Sequence, residues 1–169
     1  GGWQGADTRV TNARTTTAEA GARITADATA SGQGGTVVLW SDGSTRTEAA
    51  ISAQGGPQGG NGGQVETSGK LHLDARVAPR VGARSGSGVG GEWLLDPTEI
   101  IIGTAPPLAI EPQVTTAPSP LPAPTTTETF GGFVGILNSY ISPSVIEAVL
   151  NNGANVSIKT SGLASLNFP

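Results

Sequence analysis

Three glycine pairs constrain this chain more than any other feature. Gly34-Gly35, Gly62-Gly63 and Gly90-Gly91 recur at an interval of 28 residues. A short β-type run follows each pair: Thr36–Trp40, Gln64–Ser68 and Glu92–Asp96. A fixed period of about 20–50 residues marks a solenoid, a propeller or an array. Such folds are quasi-one-dimensional and place function along an extended surface rather than in one deep cleft.

Superposed at this period, Val37, Val65 and Trp93 fall in one column and Leu39, Thr67 and Leu95 in a second. Their neighbours Val38, Glu66 and Leu94 form a mixed column on the opposite face, because side chains alternate along a strand. That mixture predicts a partly solvated exterior. Trp40 falls on the same outward side, where a loop or the later Pro/Thr-rich stretch would cover it. Trp93 falls inward.

A second strand in each repeat superposes at an offset of 26, with the turn Ser41–Ser44 taken as two residues longer than Gly69-Lys70. Thr45–Ile51 then overlies Leu71–Val77, whose apolar positions 71, 73, 75 and 77 alternate with His72, Asp74 and Arg76. Thr45 and Thr47 point inward on this superposition. Ile24–Asp27 resembles Ile51–Gln54 at a spacing of 27. Glycine-rich loops separate the units, and strand, corner, strand and loop repeated in register read as an all-β parallel β-helix. A propeller blade needs about 40–45 residues, which this period does not supply.

The pattern stops after Gly103, and three regions follow from it. Residues 1–103 hold the repeated coils. Residues 104–129 carry seven prolines among many threonines and read as an extended linker or loop. Residues 130–169 hold a strand, a short helix from Pro143 with Ser142 at its N-cap, and the alternating run Ala154–Thr160. That last strand is expected to rejoin the solenoid, with the helix as a candidate cap.

Composition narrows the chemistry. Charged residues are 13% of the chain, against about 25% in ordinary soluble domains. No cysteine occurs, which removes disulfides, thiolate metal sites and cysteine nucleophiles, and which fits a secreted protein. The net charge of −4 without a basic patch argues against a nucleic-acid partner. No run approaches about 18 apolar residues, so no helical membrane span is expected. Beginning Gly-Gly-Trp, the sequence reads as an internal piece of a longer polypeptide. No cofactor motif occurs, and the glycine-rich run 55–63 lacks the carboxylates of a calcium-binding β-roll.

Three residues stand out as possible ligand contacts. Glu48 and Asp74 superpose at the offset of 26, which would set two carboxylates one strand apart, near the separation of about 5–9 Å that glycoside cleavage uses. Arg46 and Arg76 flank them, and surface charge pairing accounts for the group more simply. Trp40 would supply an aromatic face for a sugar ring or a protein partner. His72, the lone histidine, reads as a solvated surface residue on the polar face. Asn155-Val156-Ser157 matches the N-glycosylation tripeptide.

Taken together, Gly35–Thr45, Gly63–Lys70, Gly91–Thr98, and Tyr140–Ser142 with Ile146–Val156 resemble the filamentous-haemagglutinin-like exoproteins of bacterial two-partner secretion. The resemblance covers about residues 22–102 and 130–160. It implies a right-handed β-helix, export through an outer-membrane secretion partner, and a non-enzymatic role at the cell surface in adhesion, aggregation, biofilm or stalk formation. A host or bacterial surface glycan or protein would be the partner. The alternatives are a carbohydrate-binding or carbohydrate-cleaving β-helix with a groove at Trp40, Glu48 and Asp74, and the stalk of a contact-dependent toxin.

Overall fold

The computed structural model describes residues 1–103 and 139–160, and the backbone of the strand Ala164–Leu166. The Pro/Thr-rich stretch 104–129 lies outside the described residues. After a 3-10 turn at Trp3–Gly5 the strands are β1 (Ala13–Ala18), β2 (Arg23–Thr25), β3 (Thr36–Thr47), β4 (Ala50–Ser52), β5 (Gln64–Gly69), β6 (His72–Ala75), β7 (Glu92–Leu95), β8 (Ile100–Ile102) and β9 (Ser139–Ile141). The helix α1 (Pro143–Asn151) and strands β10 (Asn155–Ile158) and β11 (Ala164–Leu166) complete them. Among the described residues the protein is therefore mostly β with one short helix.

All pairings among the described strands are parallel. Nine strands form one curled sheet in the order β10-β7-β5-β3-β6-β9-β8-β11, with β1 also on β3, and β2 pairs with β4 separately. The curl comes from β3, whose first half pairs with β5 and whose second half pairs with β6. Thr36 lies beside Gln64, which lies beside Glu92, so the 28-residue period is the register of the sheet itself. The column Val37, Val65, Trp93 is buried as expected, and Val156 of β10 continues it.

The glycine pairs have a physical cause. The Gly35, Gly63 and Gly91 N–H groups donate to the carbonyls of Ala26, Ala53 and Val81, each at 2.7 Å. The chain thus turns tightly against the end of the preceding strand in the same unit. The next units stack on this corner: Gln64 N–H donates to Gly35 O at 3.0 Å, and Glu92 N–H to Gly63 O at 3.0 Å. A Cβ on Gly63 would fall on Gly35 O, and one on Gly91 would fall on Gly63 O. Backbone thus packs on backbone, and no side chain fits between. The loops stack as well, since Gly34 N–H donates to Asn61 O and Gly62 N–H to Val89 O, both at 2.9 Å.

The second strand differs from the sequence reading. Ser44 pairs with His72, Thr45 with Leu73, Arg46 with Asp74 and Thr47 with Ala75, a register of 28 rather than 26. The two turns have equal length because β3 runs on through Ser41–Ser44 instead of breaking there. Thr45 and Thr47 are buried as expected, but over Leu73 and Ala75. Leu71 and Val77 consequently lie outside the four-residue strand β6 and are exposed. The spacing of 27 between Ile24 and Ile51 is the register of β2 on β4.

The core runs through the inside of the curl, with Val65, Leu73, Trp93, Leu95, Ile141 and Val149 fully buried. It also holds hydroxyls, most of which pair with one another and with neighbouring polar groups, while Thr47 Oγ1 has no partner. Trp93 Nε1 donates to Thr67 Oγ1 at 2.9 Å, Ser41 and Thr45 share a hydrogen bond of 2.8 Å, and Thr45 Oγ1 donates to Ser68 O at 2.7 Å. Such pairing removes most of the cost of burying them. The helix α1 begins at Pro143 after Ser142, whose hydroxyl pairs with Ser144 instead of capping a backbone N–H. Val149 anchors it to the core, and β10 then adds to the sheet beside β7.

Candidate functional site

Two surface features come from the register. On the outer side of β3 and β6, Arg46 lies beside Asp74, with Glu48 and Arg76 just past the strand ends. Arg76 bridges the two carboxylates, at 2.8 Å from Asp74 and 3.2 Å from Glu48. Arg46 pairs with Glu48 and approaches Asp74 at 3.9 Å. The two carboxylates are therefore not stacked on each other. In the true register each faces a guanidinium of the next strand, so the charges alternate and both acids are ion-paired. Beside them a hollow of about 300 Å³ is lined by Thr17, Ala18, Glu19, Ala20, Arg46 and Glu48. Trp40 is not part of this group.

The second feature is a cleft of about 340 Å³. The 28-residue register sets Asp42, Lys70 and Thr98 in one column and Trp40, Ser68 and Asp96 in another. Five of these six residues line the cleft, and Gln4, Gly5 and Asn12 close it from the amino-terminal side. Backbone hydrogen bonds link the units beneath it: Lys70 N–H donates to Ser41 O at 3.0 Å and Thr98 N–H to Lys70 O at 2.9 Å.

Trp40 is only 8% exposed. The segment 1–5 covers it, since a Cβ on Gly5 would fall on Trp40 Nε1 and one on Gly1 would stand 2.9 Å from Trp40 Cδ1. Cover from a loop or the Pro/Thr-rich stretch was expected, and the segment at the start of the sequence provides it. The same segment seals Glu66. Gln4 N–H donates to Glu66 Oε2 at 2.7 Å, and Gln4 Nε2 reaches Asp96 at 3.4 Å. Glu66 and Leu94 are fully buried, so the column expected to be partly solvated is covered there. Burial pushes the Glu66 carboxyl above its usual range, against the Gln4 N–H that favours the charged form.

Three buried polar atoms around this cleft lack a partner: Trp40 Nε1, Asn12 Oδ1 and Glu66 Oε1. Sequence reasoning singled out Trp40 but missed Glu66, Asp42, Lys70 and Asp96 as its companions. The columns at 28 residues were readable, yet nothing in the sequence brings residues 1–12 across them. His72, expected in solvent, is half-buried with an unpaired Nδ1.

Among the described residues no group of three or more histidine, aspartate or glutamate side chains stands ready to hold a metal ion. Nor, among them, is any helix long and apolar enough to cross a membrane. No family model matches this chain, and no curated protein matches it.

Proposed function

We propose that this chain is a segment of a right-handed parallel β-helix belonging to a large secreted bacterial surface adhesin of the filamentous-haemagglutinin-like kind. Its role is mechanical and adhesive rather than enzymatic. One observation carries the reading: a single register of 28 residues persists through the glycine corners, both halves of β3 and the bridge from Ser52 to Arg80. A chain that stacks copies of one unit builds a stiff rod with an extended flank. The ion-paired state of Glu48 and Asp74 favours a surface charge lattice over a carboxylate pair working on a substrate.

The test is location and attachment in the producing bacterium. An antibody raised against this segment should label intact, unpermeabilised cells, and removal of the outer-membrane secretion partner should abolish the label. Deleting the parent gene should reduce attachment or biofilm. Label confined to lysed cells overturns the reading.

A further inference from the structure

The amino-terminal segment is held over the Trp40 cleft by hydrogen bonds from Gln4 to Glu66 and Asp96 and from Asn12 to Gly5 O, yet several of its other contacts carry an energetic cost. Gln4 adopts φ 54°, ψ 23°, a left-handed conformation that side-chain-bearing residues seldom take. The Trp40 indole N–H faces Gly5 with no acceptor, Asn12 Oδ1 lies against Gly1 with no donor, and Glu66 keeps one unpaired carboxylate oxygen beneath Gln4. A buried polar group left without a partner keeps its full desolvation penalty. Four penalties under one short segment describe a cover that a better partner can displace.

The unpaired atoms also describe that partner. Trp40 requires an acceptor, while Asn12 and Glu66 require donors. Hydroxyl groups meet both needs, since each donates once and accepts twice. The indole edge adds an apolar wall suited to the C–H face of a ring. Asp42 and Asp96 outnumber Lys70 in the lining, which disfavours an anion. The volume of about 340 Å³ lies at the lower end of the ~300–1,000 Å³ range of small-ligand sites, and the cleft extends from β3 past the ends of β5 and β7.

We propose that this cleft is a binding site for a neutral saccharide, which enters as residues 1–5 shift from the Trp40 edge and then pairs with Trp40 Nε1, Asn12 and Lys70. The ligand class deepens the adhesive reading by giving it a named site.

The test is titration of the purified chain with neutral gluco-, galacto-, manno- and N-acetylglucosamine oligosaccharides, with a sulfated oligosaccharide for comparison. The readout is the indole N–H resonance of Trp40, assigned with Trp40→Phe. At least one neutral sugar should move that resonance saturably at millimolar concentration. Lys70→Ala, an exposed change that leaves the fold intact, should weaken binding about tenfold. Gly5→Ala, which drives a methyl group onto the indole and lifts the cover, should tighten binding severalfold. No response to any neutral sugar in either the native chain or Gly5→Ala overturns the proposal, as does a response to the sulfated sugar alone. That failure leaves surface labelling and attachment untouched, whereas label confined to lysed cells removes the adhesin reading and leaves the sugar titration standing.

Discussion

Gly63 stacks directly on Gly35: the Gln64 N–H bonds to the Gly35 carbonyl at 3.0 Å, and a Cβ on Gly63 would collide with that same oxygen. The contact is backbone on backbone, 2.6 Å from such a Cβ to Gly34 C as well, so nothing nearby can rotate away. Gly63→Ala should therefore lower stability by about 3 kcal/mol or more, at the upper end of overpacking costs. Gly86→Ala is the control, because a Cβ there meets nothing within 4 Å. Denaturant melts of the two variants should differ by most of that amount.

Leu73 is fully buried and packs in register beside Thr45. Its truncation to alanine removes apolar contact and leaves a cavity that the stacked strands cannot close. Leu73→Ala should cost about 2–5 kcal/mol, and Leu71→Ala, at an exposed turn position, should stay within about 0.5 kcal/mol. Equal effects would contradict the register of 28.

Glu66 gives the fold a pH dependence with a definite sign. Burial raises its carboxyl in the folded chain, so between the ordinary glutamate range and that raised value the folded state holds a proton that the unfolded chain has already released. Stability must then fall as pH rises from the ordinary glutamate range through the folded value, and remain lower above it. Glu66→Gln keeps an acceptor for the Gln4 N–H while removing the buried charge. It should flatten this slope. Thermal melts of both chains across the acid range check this.

The charge group on β3 and β6 is half-exposed and should contribute little to stability. Glu48→Gln or Asp74→Asn should each change it by less than about 1 kcal/mol, and the change should shrink near 1 M salt, where the screening length is about 3 Å. Neither variant should alter any action on polysaccharides. Turnover of a polysaccharide that disappears in both would overturn the non-enzymatic reading.

The outward position of Trp40 and the inward position of Trp93 were legible because side chains alternate along a strand. What covers Trp40 was not legible, for the cover comes from residues 1–5 and carries no periodic signal. The placement of Glu48 over Asp74 failed for a different reason. Ser41–Ser44 has turn-forming composition, yet it pairs through β3 with β1, β5 and β6, and pairing on both sides holds it extended.

The sequence by itself determined the 28-residue interval, the burial of Val37, Val65 and Trp93, and the helix beginning at Pro143. Each of these follows from local rules: glycine where backbones touch, alternation along a strand, and proline at a helix start. Tertiary structure alone decided that the chain stays extended through Asp42, that Arg46 rather than Glu48 meets Asp74, and that the first residues close over Trp40 and Glu66. Those outcomes depend on hydrogen bonds and contacts between residues tens of positions apart, where composition and spacing carry no information about which partner wins.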